Sequence, residues 1–253
     1  MLRGLIIGCF CLALTVSGFA QQAPAEKPPE RLDITAEQVL EKSIQATGGR
    51  AAGEKLTSTV TKGTVELVAQ GIQGTVEIYA KAPNKLLVVQ NLQGIGEFNQ
   101  GYDGQVGWSQ NPFQGTRELQ GVELAILKRE ATFNAELKWR ELYEKVELVG
   151  REKVGEQEAY VVRLTASQGK PVTCYYDTQT FLLLRQDEVV EGEMGTITGE
   201  TYYSDYREVD GVKVPFHLKQ KAPFGEEVIT ITEVKNNVEI SDAKFAKPGA
   251  SGK

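Results

Sequence analysis

The chain has 253 residues, with 28 Lys and Arg against 34 Asp and Glu and a net charge of −6. That acidic balance argues against nucleic acid and an anionic membrane surface as the partner. Two of the three cysteines, Cys9 and Cys11, lie in the first eleven residues; without them one histidine and one cysteine are too few for a zinc site, and the lack of a C-x-x-C-H run excludes attached haem.

The N-terminus reads as a segment to be removed. Met1-Leu2-Arg3 is a short basic start, and Leu5 to Val16 is an apolar run too short to span a bilayer. Ser17-Gly18-Phe19-Ala20 then supplies small residues at a cleavage position. The pattern predicts a signal peptide over 1–20, cut after Ala20. Ile6-Ile7-Gly8-Cys9 matches a lipoprotein acylation box, but too little apolar sequence precedes Cys9, which is expected to stay unacylated. Cys174 would remain as the one cysteine of the exported chain, so no intramolecular disulfide can hold it and a true core must. Residues 21–30 are proline-rich and charged, a flexible leader. No second apolar stretch of membrane length follows, so the chain is not expected to span a membrane.

Order is expected from about Arg31. Thr35 and Gln38 form a capping box, Ile34 and Val39 a hydrophobic staple, and Ala36, Val39, Leu40 and Ile44 one apolar stripe ending at Gly48-Gly49. Strands follow. Gly63-Thr64-Val65 and Gly74-Thr75-Val76 echo each other across a turn near Gln70-Gly71. Pairing Val65 with Val76 puts Val65, Leu67, Val76 and Ile78 on one face. Leu87 and Val89 are expected to extend that face, although Leu86 and Val88 are apolar too. A hairpin at Asp103-Gly104 leads to Trp108. Residues 122–143 read as a helix interrupted near Asn134, with Leu124, Leu127 and Phe133 among its apolar residues and Lys128, Arg129, Glu130 and Glu136 on a wet side. Laid across the sheet, its leucines would meet Val65, Val76, Ile78 and Leu87. From Val146 onward, alternating Val, Tyr, Thr and Leu runs divided by short polar turns predict consecutive antiparallel strands, with Asp210-Gly211 a strong hairpin turn. The whole predicts one mainly β domain over 31–248, with 249–253 a disordered tail.

Chemistry is hard to find. His217 alternates with Val214, Phe216 and Leu218 onto the other face of its strand and reads as a solvent-side residue. Cys174 reads as a buried, inert thiol. Asp177, Asp187, Glu188, Glu191 and Glu193 lack EF-hand spacing and read as solvated hairpin ends. Gly94-Ile95-Gly96 lacks the third glycine of a dinucleotide fingerprint. No catalytic residue, metal or cofactor is expected, and only carboxylate pairs assembled across strands leave room for a hydrolase.

Residues 101–108 (GYDGQVGW), 176–187 (YDTQTFLLLRQD) and 205–216 (DYREVDGVKVPF) resemble the outer-membrane lipoprotein-sorting proteins of the LolA-like class, which includes mycobacterial lipid carriers. The resemblance covers nearly the whole mature chain. It implies a strongly curved antiparallel sheet, an incomplete β-barrel, whose concave face is covered by an N-terminal helix and a helical insertion. It implies a periplasmic carrier, without enzymatic activity, holding acyl chains of a lipid or lipoprotein. The cavity would be lined by Val65, Leu67, Val76, Ile78, Leu87, Val89, Trp108, Leu124, Leu127 and Phe133. The chain is expected to be a monomer, with an envelope protein as a possible further partner. One departure stands out: the sorting chaperone tethers its helical lid through an early-strand arginine, and this sequence has no arginine from Ala51 to Thr116. The competing readings are an envelope interaction module with a fully packed core and, less favoured, a carboxylate-dependent hydrolase.

Overall fold

The computed structural model describes residues 32–192, 195–223 and 225–249. The expectations for the signal peptide, the leader, Cys9 and Glu193, and for most of the tail, lie outside the described residues.

Helix α1 (Ala36–Ala46) begins as its sequence requires. The Thr35 side chain accepts from the Gln38 N–H while the Gln38 side chain accepts from the Thr35 N–H, satisfying two amides the helix leaves open. Ala36, Val39, Leu40 and Ile44 are buried together. A single turn, α2 (Arg50–Gly53), follows. Then come six strands, β1 (Ser58–Leu67), β2 (Ile72–Lys81), β3 (Lys85–Leu92), β4 (Gly96–Tyr102), β5 (Gly107–Asn111) and β6 (Gly115–Glu118). The helical insertion is three pieces: α3 (Gly121–Ala131), a 3-10 turn (Ala135–Lys138) and α4 (Trp139–Leu142). The break falls at Asn134, whose backbone is left-handed, as expected. Seven strands complete the chain: β7 (Lys145–Val154), β8 (Gln157–Thr165), β9 (Val172–Asp177), β10 (Leu183–Gly192), β11 (Gly195–Val209), β12 (Val212–Ala222) and β13 (Gly225–Asn236). A last 3-10 turn spans Asp242–Phe245.

All thirteen strands form one antiparallel sheet, ordered β6-β5-β4-β3-β2-β1-β13-β12-β11-β10-β9-β8-β7. It is open, with β6 and β7 as its edges, and β13 joins the two halves. The sheet must curl strongly. Helix α3 touches β3, β4 and β5, yet its Arg129 and Glu130 share a cavity with Leu164, Cys174 and Gln186 of β8, β9 and β10. Nine strand spacings separate β5 from β9, roughly 43 Å if the sheet were flat. A helix only about 10–12 Å across reaches both sides only inside a trough.

Register decides the faces. Val65 pairs with Gly74, not Val76, a slip of two residues that leaves side-chain parity intact. Val65, Val76 and Ile78 therefore do share the inner face, with Leu67 partly buried beside them. The assignment of Leu87 and Val89 needs correction. Ile78 pairs with Val88, so Leu86 and Val88 point inward. Leu87 and Val89 point outward and join Trp108 in a second cluster with Ile240 and Phe245. Four consecutive apolar residues carry no alternation, so only the partner strand's register could choose between them. Trp108 lies over Gly101, where an added Cβ would sit 2.5 Å or less from indole carbons, and donates from Nε1 to the Phe245 carbonyl at 2.9 Å.

A cavity between the helical insertion and the sheet

The inner face is apolar through most of its area and is covered by α1 and α3. Their coverage differs in depth. Helix α1 packs against β7 and β8. Its Glu41 accepts hydrogen bonds from Arg50 (2.8 Å), Arg140 (2.7 Å) and the Trp139 indole (3.1 Å), so one carboxylate fastens α1, α2 and α4 together. Burial works to raise the pKa of Glu41, and those three donors outweigh it, leaving the carboxyl below its ordinary value. Arg50 also donates to the Leu137 carbonyl at 2.8 Å.

Helix α3 lies in the trough. Leu127 is fully buried, Ala131 nearly so, and Leu124 packs at the margin. Both leucines rest on Gly107, where a Cβ would stand 2.6 Å from Leu124 and 3.1 Å from Leu127. A side chain there would lift the helix. The N-cap, Gln120, makes no side-chain cap hydrogen bond. An Arg117–Glu123 pair at 2.8 Å ties the first turn to β6, but both side chains are more than a third exposed, so the pair is worth little. At the far end the Phe133 N–H donates to the Pro83 carbonyl (3.0 Å) and Asn134 Nδ2 to the Gly53 carbonyl (2.7 Å). Phe133 itself leaves the trough, because the chain turns extended at Thr132, and packs with Leu56 and Val212 in a separate cluster.

A cavity of about 60 Å³ remains under the C-terminal half of α3. Leu40, Trp139, Leu164 and Val172 form its apolar walls. Arg129, Glu130 and Glu136 reach it from the helical insertion, and Cys174, Gln186 and Glu188 from the sheet. The wet side expected for Arg129, Glu130 and Glu136 therefore faces inward, because the sheet curls round to meet it. Burial raises both carboxyl groups. Glu188 is pushed up to about 7 against the opposing pull of Arg129 and a hydrogen bond from Gln186. Glu130 stands well above the usual carboxylate range, through burial and then the Glu188 charge. Cys174 is buried and lies 3.8 Å from Gln186 Oε1. Arg129 also donates to the Gln168 carbonyl, at 3.4 Å, in the turn between β8 and β9.

Of the sites expected from sequence, the structure brings Val65, Leu67, Val76, Ile78, Leu124 and Leu127 into one core, and places Leu87, Val89, Trp108 and Phe133 outside it. The two cavity acids were not expected there. A sequence signal existed for Glu130, which stands three residues after Leu127 and so on its side of the helix. Asp177 is buried but structural: its Oδ1 accepts from the N–H groups of Gln179 (3.0 Å) and Thr180 (2.6 Å), closing the turn to β10. His217 is half-buried, pairing with Ser204 and Thr230 on neighbouring strands. Among the described residues no group of three His, Cys, Asp or Glu side chains is placed to hold a metal ion, and no helix is long and apolar enough to cross a membrane.

This architecture is LolA-like. A LolA superfamily protein from Nitrosomonas europaea superposes with a TM-score of 0.57 at 13% identity, covering 85% of this chain and 98% of that one. A DUF1329 family protein from Desulfovibrio piger gives 0.57 at 14% identity, covering 83% and 97%. A domain from Vibrio parahaemolyticus assigned to outer membrane lipoprotein sorting gives 0.55 at 11% identity, covering 83% and 97%. At these identities the likeness is one of fold. No family model matches the sequence, and no curated protein matches it either.

Proposed function

We propose that this chain is a periplasmic acyl-chain carrier in its closed state, with α3 as a removable lid that stands in for the ligand. Export by a signal peptide cut after Ala20 and a single carrier domain from about Arg31 belong to the same reading. The observation that carries it is the fit of α3 in the trough: the helix is wrapped by strands from both halves of the sheet, yet its N-terminal end has no side-chain cap and is tied down by an exposed ion pair and by Leu119, just before the N-cap, whose N–H donates to the Gly107 carbonyl at 2.8 Å. The present cavity, about 60 Å³, falls far below the ~300 Å³ that ligand pockets begin at. A larger hollow of about 550 Å³ beside α1 is lined mostly by polar and charged side chains such as Asp33, Glu41, Lys42 and Arg151, so within the apolar trough an acyl chain finds room where α3 now lies.

The magnitudes favour that exchange. Lifting Leu127, Leu124 and Ala131 off the sheet costs roughly 5 kcal/mol of apolar burial, while ~10 methylenes taking their place contribute about 8. The fold shared with lipoprotein-sorting relatives supports the choice of ligand class, and the acidic surface disfavours an anionic membrane as the docking partner. The test is titration of the delipidated mature protein with a fluorescent fatty acid, following the emission of Trp139 in the cavity wall. The carrier reading expects saturable uptake with a change in Trp139 emission. A delipidated protein that takes up no acyl probe overturns it in favour of a packed structural module.

A further inference from the structure

The cavity is walled by an acid on each side, Glu130 in the last turn of α3 and Glu188 on β10. We propose that these two side chains form a proton-operated latch: a proton held between them lets α3 lie on the sheet, and ionisation of both drives the helix off it. The latch rests on the lid role proposed above and assigns what moves the lid. Both side chains are half-buried and line the same cavity. The remaining groups facing them do not neutralise the pair. Arg129 is the one cation lining the cavity among the described residues, while Glu136 adds a third carboxyl from the 3-10 turn. Tyr143 and Cys174 complete the titratable set, and Gln186 donates to Glu188. Glu130 and Glu188 against the one guanidinium leave the fully ionised pair negative, in surroundings where like charges repel strongly.

The sign follows from burial. Glu188 is raised to about 7 and Glu130 is raised well above its ordinary 4.5, whereas both return toward ordinary values when α3 lifts and water enters. The closed state thus binds protons more tightly than the open one. Its advantage is complete at acid pH, below the ordinary carboxylate range, and is lost as pH rises through about 7. Arg129 sits next to the latch and also touches Gln168.

Hydrogen exchange of the α3 amides, residues 121–131, tests this in the ligand-free protein between pH 5 and pH 8, after correction for the intrinsic rate. The latch expects opening to increase at least about tenfold over that range, one pKa unit's worth of linkage. Glu188→Gln and Glu130→Gln, which mimic the protonated form, should each flatten the response. Glu227→Gln should leave it as in the wild type, because that raised carboxyl lies outside the cavity. Equal α3 protection at both pH values overturns the latch, as does an undiminished response in both cavity variants or one erased by Glu227→Gln. Should a cavity variant fail to fold, Arg129→Gln serves: loss of the cation must carry the response to higher pH, and an unmoved midpoint is equally fatal. Because no ligand is present, a protein that takes up acyl probe without this response loses only the latch. One that responds but takes up no probe loses only the carrier reading.

Discussion

Helices α1 and α3 are both eleven residues long and both cover the inner face, yet they are held by opposite means. The first has a capping box, five buried positions and a carboxylate gripped by three donors. The second begins without a side-chain cap, buries two residues and turns an acid toward the core. Amphipathic helices are stabilised chiefly by the face they bury, so α1 is the more firmly held of the two and α3 the one that the lid proposal allows to leave. Any experiment that makes the two respond alike breaks this distinction.

The largest contrast comes from placing a charge at an equally buried position in each helix. Val39 and Leu127 are both fully buried, and an unpaired carboxylate in either place is costly unless the segment can leave. Val39→Asp should abolish cooperative unfolding, whereas Leu127→Asp should unfold cooperatively with a melting temperature only a few degrees lower. Thermal melts followed by circular dichroism decide it, and equal damage would make α3 part of the core.

Next in size is a pH effect that belongs to the sheet and to neither helix. Glu227 is buried, and burial raises it to about 7 despite the hydrogen bond from Gln90. The folded state keeps a proton that the unfolded chain releases from 4.5 upward, so the stability it contributes is complete below that pH and lost as pH rises through 7. Denaturant titrations should show up to about 3 kcal/mol of this dependence vanish in Glu227→Gln. If the dependence persists in the variant, the carboxyl does not titrate there.

A smaller effect tests the fastening of α1. Glu41→Ala should lower global stability by about 1–2 kcal/mol, discounted because the carboxylate is partly exposed. On the lid reading Arg129→Ala should lower global stability less than Glu41→Ala does, because its hydrogen bond is long and its charge acts on the local opening of α3. Comparable losses in the two variants would mean that α3 is anchored after all. The smallest change sharpens the contrast by lending α3 what α1 has. Gln120 occupies an extended N-cap position, and Gln120→Ser should stabilise the closed helix by about 0.5–1 kcal/mol and weaken acyl-probe uptake. Unchanged uptake alongside a measurable gain in stability would separate the helix from the binding step.

What could be read in the sequence follows the same division. The cap, stripe and end of α1 are local signals, and the structure reproduces them residue by residue. The break at Asn134 and the turn at Asp210-Gly211, where both residues take positive φ, are local as well. The faces of Val65, Val76, Ile78, Val214, Phe216 and Leu218 were legible because alternation survives even a two-residue slip of register. Leu87 and Val89 were misplaced because β3 is apolar on both faces, and they and Trp108 of β5 alike because their outer cover, Ile240 and Phe245, lies more than a hundred residues away in the chain. Glu130 and Glu188 could not be paired by any pattern along the chain. Their meeting depends on the curl of the sheet, the sum of small twists over many strands.

That outer cover has a mechanical consequence. Phe245 is fully buried against Leu87 and Trp108, with Val60, Tyr79 and Val89 beside it. Around it Asp242 holds Lys81 and Lys85, at 2.7 and 2.8 Å, and Lys247 meets Glu118 at 2.5 Å. This last turn of chain is a buckle fastened across the backs of β1, β2, β3, β5 and β6. The bow of that half of the sheet is thus maintained from the convex side, without help from whatever fills the hollow. On the carrier reading proposed above, a trough braced on its outer wall would keep its shape while α3 leaves and returns.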